Sequence, residues 1–311
     1  MSAYTVLRPS RSVFVPVRLY RYHVRLWGQP GPRPPLVLLH GWMDVAASYQ
    51  FMVDALSDDF CQDRLIIAPD WRGFGQSTGP ACDHYAFADY LGDLDGLLDH
   101  FCADTPVDLV GHSMGGNVAM MVAGARPQRV RRLINLEGFG MPATRPEQAP
   151  GRYARWMDEI KALQRGEQAL KTYDDAAGVA ARLMKTNHRL PQAKADWLAA
   201  QWAEPRTGPD GATRWHIRGD AAHRITSAQL FRVDEMRALY AAITAPTLVV
   251  EASDDSLGQW WQRRFTLEEF HQRLQSVPRC RRTTLPDCGH MLHHDQPDRL
   301  AREIETFLAA A

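Results

Sequence analysis

A chain of 311 residues, 45% hydrophobic and 23% charged, carries enough apolar material for one large buried core. Its 36 lysines and arginines match its 36 aspartates and glutamates, a balance that argues against nucleic acid or an anionic membrane surface as partner. Five cysteines, at 61, 82, 102, 280 and 288, are odd in number and lack C-x-x-C spacing, which argues against a disulfide framework or a zinc site and predicts reduced thiols in a cytoplasmic protein.

The N-terminal stretch "MSAYTVLRPSRSVFVPVRLY" has no continuous apolar region of the signal-peptide kind. The longest aliphatic runs are only about four to five residues, such as Leu36–Leu39, so no membrane span is expected. "SVFVPVRLY" and "YRYHVRLW" alternate apolar and polar positions, which predicts antiparallel strands with one covered face. "GQPGPRPP" (28–35) is turn material. From "LVLLHGW" onward the rhythm changes to short continuous apolar runs at 36–39, 65–68, 107–110, 133–136 and 247–250. Such runs suit strands buried on both faces, as in a parallel sheet covered by helices. Helical candidates lie at 46–57, 84–102, 115–125, 260–276 and 296–310.

Between 141 and 238 no strand-like apolar run occurs, and "RYARWMDEIKALQRG" and "QAKADWLAAQWAEP" read as amphipathic helices. The organisation expected is a core in two parts, 1–140 and 239–311, with a helical lid inserted at 141–238 above the carboxyl edge of the sheet. The lid tryptophans Trp156, Trp197, Trp202 and Trp215 are expected to pack between lid helices; the alternative is that one or two of them line an apolar pocket.

The segment "DLVGHSMGGN" (108–117) holds G-x-S-x-G between an apolar run and a helical candidate. A sharp strand-to-helix turn puts the Ser113 hydroxyl at its apex, in a backbone that side chains at 111 and 115 would crowd. Serine is a weak nucleophile until a base takes its proton, and the base needs an acid to hold its tautomer. Downstream, Asp254 and Asp255 follow the run "APTLVV", and Gly289-His290 follow "RRTTLPDC". Ser, acid and His in that chain order is the arrangement this topology predicts.

Taken together, "LVLLHGWMD" (36–44), "APDWRGFGQS" (68–77), "GHSMGG" (111–116), "APTLVVEASDDS" (245–256) and "PDCGHMLHHDQP" (286–297) resemble an α/β-hydrolase-fold serine hydrolase, with the small serine hydrolase-like esterases the nearest group. The resemblance implies an α/β fold with a mostly parallel central sheet flanked by helices. It implies Ser113 as nucleophile and His290 as general base. The orienting acid aligns with Asp255, where Ala252 replaces the usual glycine; Asp254 and Glu137 are the other candidates. The Trp42 and Met114 backbone N–H groups would form the oxyanion hole.

The expected reaction is hydrolysis of small to medium, mostly apolar carboxylic esters through an acyl-enzyme, without a cofactor or metal. The same triad also serves C–C, lactone or thioester hydrolysis and perhydrolysis, and a ligand-sensing protein with negligible turnover remains open. A carboxylate-nucleophile reaction such as dehalogenation is disfavoured because position 113 is serine. His40 and His112 are expected to be structural. In His290, His293, His294 and Asp295, a helix start with Asp295 as N-cap and Pro297 early in the helix is expected rather than a metal site. "RGFGQS" lacks the third glycine and the acidic residue of a dinucleotide site, so Asp70 and Arg72 are expected to brace a turn.

Overall fold

The computed structural model describes residues 3–310, so residues 1–2 and 311 of the expected core segments lie outside it. Strands β1 (Arg11–Val17) and β2 (Tyr20–Trp27) pair antiparallel. Pro16 lies in β1, the edge strand, where a residue without an N–H costs least. The buried runs become β3 (Leu36–Leu39), β4 (Ile66–Pro69), β5 (Val107–His112) and β6 (Val130–Leu136). Between them lie α1 (Gln50–Ala55), α2 (Asp58–Cys61), α3 (Phe87–Cys102) and α4 (Met114–Ala125). The 46–57 candidate is a 3-10 turn at Ala46–Tyr49 running into α1, and it ends before Leu56 turns extended.

After β6 the chain leaves the sheet and forms α5 (Ala149–Gln164), β7 (Thr172–Tyr173), α6 (Ala176–Thr186), α7 (Gln192–Trp202), β8 (Ala203–Thr207), β9 (Thr213–Ile217) and α8 (Val233–Ala241). Both helices read from amphipathic spacing are present, but α5 buries none of its residues. The small antiparallel sheet β7-β9-β8 departs from the purely helical insertion that the sequence predicts. Its strands are too polar and too short for an apolar run to mark them; only "GPDG" at 208–211 signals the hairpin, with Gly211 at φ 75°.

The chain then returns to the sheet as β10 (Thr247–Ala252), α9 (Ser256–Trp261), α10 (Leu267–Leu274), β11 (Cys280–Leu285), α11 (Leu292–Asp295) and α12 (Pro297–Ala309). The eight-stranded order is β1-β2-β4-β3-β5-β6-β10-β11, and every pairing from β4 onward is parallel. Leu36 and Leu38 face one apolar layer with α1 and α12, while Val37 and Leu39 face the other with α3 and α4. A third cluster joins the insertion to the loop after β3 and to α1, through Val45 and Phe51 against Val179, Leu198 and Trp202. Among the described residues no helix is long and apolar enough to cross a membrane.

Candidate active site

Five loops leave the carboxyl ends of β3, β5, β6, β10 and β11 along one edge of the sheet, the place where open α/β sheets bind ligands. At the end of β5, Ser113 has φ 51° and ψ −115°. A non-glycine residue there costs roughly 1–3 kcal/mol, a strain that must be held by its surroundings. The hold is steric. A Cβ on Gly111 would lie 2.3 Å from the Gly115 carbonyl oxygen, and one on Gly115 would lie 2.2 Å from that of Leu39. Ser113 N–H donates to the Leu136 carbonyl (2.8 Å), which ties the turn to β6.

His290 follows β11. Its Nδ1 lies 3.3 Å from Glu137 Oε2, and its ring meets Trp260 edge-on at 4.0 Å between centroids. Burial pulls its pKa down to about 3, so the ring is neutral at ordinary pH. Glu137, the first residue beyond β6, is buried at φ 57°. Its Oε1 accepts the Ala252 N–H at 2.7 Å. Burial pushes its pKa up to about 7, opposed by the Ala252 N–H and the Ser256 hydroxyl.

The carboxylate expected to align with the family's acid sits elsewhere. Asp255 is exposed and caps α9, accepting the Gly258 N–H at 2.8 Å. Asp254 holds Arg189 by two hydrogen bonds of 2.7 and 3.2 Å. Glu137 is the carboxylate that the structure brings to His290, because β6 lies between β5 and β10. The missing glycine at 252 and the capping spacing of Asp255 with Gly258 were the sequence signals against Asp255.

The loop after β3 carries Gly41, where a Cβ would lie 3.2 Å from Ser113 Cβ. Trp42 and Met114 flank the serine on its two sides, and among the described residues neither backbone N–H meets a protein acceptor. His40 shapes this loop: Nδ1 donates to the Gly41 carbonyl (2.7 Å), and Nε2 accepts the Trp71 N–H (2.9 Å). Asp70 accepts the Ala46 and Gln76 N–H groups at 2.7 and 2.9 Å, and Arg72 pairs with buried Asp93, so both brace the turn as expected. His112 donates from Nε2 to the His290 carbonyl at 2.8 Å.

Asp295 is not a cap. It ends α11 and accepts the Gly289 N–H and the Asn187 amide; Gln296 holds the N-cap position, with Pro297 first in α12. His293 and His294 are buried, His294 against Ser48 at 2.6 Å.

Ser113, His290, Trp42 and Met43 open into a cavity of about 770 Å³ roofed by the insertion. Its wall is apolar at Leu170, Leu183, Leu190, Leu198 and Ile217, and its rim carries the exposed cations Lys171, Arg182 and Arg224. Of the lid tryptophans, Trp202 lines this cavity and donates to the Met43 carbonyl (2.9 Å). Trp197 packs on Tyr4 and Phe51, Trp215 borders the third apolar cluster, and Trp156 lies beside His84.

Residues 34–297 match the family model of the alpha/beta hydrolase fold, and the chain belongs to that family. It is therefore an alpha/beta-fold hydrolase. It is 25% identical to a serine hydrolase-like protein of Danio rerio, over 98% of this chain and 90% of that one. It is 27% identical to a 2-hydroxymuconate semialdehyde hydrolase of Pseudomonas putida, over 89% of this chain and 88% of that one. Among solved structures, the thioesterase domain from the curacin biosynthetic pathway superimposes with a TM-score of 0.79 at 23% identity, covering 96% of this chain and 99% of that domain.

Proposed function

We propose that this protein is a serine hydrolase of carboxylic esters, with Ser113 as nucleophile, His290 as general base and Glu137 as the orienting acid. Neutral His290 takes the Ser113 proton through Nε2 while Glu137 holds Nδ1–H and stabilises the imidazolium. The tetrahedral oxyanion docks on the Trp42 and Met114 N–H groups, the alcohol leaves with the proton from His290, and water resolves the acyl-enzyme. The observation that carries this reading is the contact of buried Glu137 with half-buried His290 at 3.3 Å, on the same sheet edge as the strained Ser113.

The apolar wall of the cavity suits a small to medium hydrophobic body, and the cationic rim favours an ester that also bears a negative charge at its far end. Arg189 and Arg218 are paired with Asp254 and Glu204, whereas among the described residues Lys171, Arg182 and Arg224 have no such partner. No cofactor enters this mechanism. The cytoplasm is the compartment we assign, since the five cysteines are free thiols.

The test is turnover of p-nitrophenyl esters from acetate to decanoate. Ser113→Ala should lose roughly 10⁶-fold in kcat, and Glu137→Gln roughly 10⁴-fold. Asp255→Ala should keep its turnover and lose about 1 kcal/mol of stability as a removed helix cap. Loss of turnover in Asp255→Ala together with an active Glu137→Gln would return the acid to Asp255. Turnover of thioesters or diketones but not of esters would move the same triad to the other chemistry.

A further inference from the structure

Behind the wall of the cavity, three side chains outside the proposed triad converge: Asp44 from the loop after β3, His112 from the end of β5 and His293 from α11. One ligand atom from each lies within 4.8 Å of the others, and all three residues are buried. His293 Nε2 is 3.9 Å from Asp44 Oδ2, and the His112 and His293 rings are 4.6 Å apart between centroids. His112 spends Nε2 on the His290 carbonyl, which leaves Nδ1 facing inward without a partner. Asp44 Oδ2 is also buried without one. A buried carboxylate oxygen and a buried imidazole nitrogen left without partners are each unfavourable. Both atoms carry electron pairs toward the same buried space, which suits a ligand that accepts electron pairs from both.

We infer that Asp44, His112 and His293 form a binding site for a divalent transition-metal ion of the zinc class. Two imidazoles and one carboxylate form the ligand set of many open zinc and iron sites. Bond lengths of about 2.0–2.2 Å to nitrogen and oxygen bring tetrahedral ligand atoms to roughly 3.3 Å apart, so the three side chains would close on the ion by a fraction of an ångström to about 1.5 Å. Asp44 and His112 also border the substrate cavity, which supplies the entry path and a position for water as the fourth ligand. The second nitrogen of His112 is already fixed on the His290 carbonyl, the outer hydrogen bond that sets the tautomer of a metal-bound histidine. The ion would staple together the segments that carry Trp42, Ser113 and His290.

The experiment is metal uptake by the chelator-stripped wild-type protein, read without turnover and so independent of the hydrolase reading. Expected are one Zn²⁺ per chain by equilibrium dialysis, a Tm that rises with Zn²⁺ because the ion binds only the folded chain, and visible absorption bands of four- or five-coordinate cobalt when Co²⁺ is used. Asp44→Asn and His112→Gln should each weaken uptake by more than the ~10–100-fold that losing an outer partner costs, with folding checked by circular dichroism. If one variant fails to fold, the other decides. No uptake by the wild type would overturn the site. Uptake unchanged in a folded variant would place the ion on surface histidines instead, and overturn it equally.

Discussion

Glu137 sits in a conformation, φ 57°, that few glutamates adopt, and its carboxylate is buried between the Ala252 N–H and His290 Nδ1. Burial raises its pKa to about 7 and lowers that of His290 to about 3. In the proposed mechanism the base is therefore ready over a wide range and the acid sets the low-pH limit: kcat/KM should fall as pH drops through about 7, and the residual rate of Glu137→Gln should show no inflection there. Stability carries the opposite sign. Because the folded carboxyl holds its proton above the unfolded value of 4.5, its contribution is present below that pH and lost as pH rises through 7. Unfolding in urea should show Glu137→Gln gaining on the wild type, by up to about 3 kcal/mol, between pH 4 and pH 9. A constant difference across that range would mean that the carboxylate is not buried as described.

At the scale of elements, the legible parts are those whose chemistry is local. Continuous apolar runs mark β3, β5, β6 and β10 because each is buried on both faces. The serine turn is legible because Gly111 and Gly115 answer a steric demand within five residues. The acid is not local. Which carboxylate reaches His290 depends on β6 lying between β5 and β10, a fact of strand order that chain spacing does not carry. The insertion is read as helical because "AEPRT" and "TRWHI" have no apolar period, yet they pair into a sheet that roofs the cavity. In the proposed reaction that roof faces the substrate. Arg182 on α6 is exposed, is bonded to Thr186, and lines the rim with Lys171 and Arg224. Arg182→Glu should raise KM for an ester ending in a carboxylate on the order of fivefold, an effect that fades in high salt, and leave a neutral ester of equal length unchanged. Equal shifts for both esters would make Arg182 a packing residue rather than a selector.

Across the whole molecule, the sheet edge gathers an unusual number of neutral histidines. His40, His112, His223, His290, His293 and His294 are all held below their ordinary pKa, with burial as the leading cause in each. They tie the β3, β5 and β11 loops to one another, and His223 stacks between Phe74 and Tyr85 at 3.7 and 3.8 Å to hold the insertion on the core. A histidine with a lowered folded pKa contributes stability that is complete above the unfolded value of about 6.5 and lost as pH falls, since the unfolded chain takes up the proton first. Each adds a slope of about 1.4 kcal/mol per pH unit below that point. Glu137 and Asp44, both raised to about 7 by burial, act with the opposite sign. Burial raises Asp108 as well, but six histidines outnumber three carboxyls, so the slope they leave favours unfolding in acid. In the metal-free protein Tm should fall steeply between pH 6.5 and pH 4.5, and the loss should begin at the roof: limited proteolysis at pH 5 should cut the 141–238 segment before the core. His223→Phe, which keeps the stack between Phe74 and Tyr85 without a titrating group, should make the insertion more resistant at pH 5 than in the wild type. Identical cleavage in both proteins would show that the roof is released by something other than protonation at this junction.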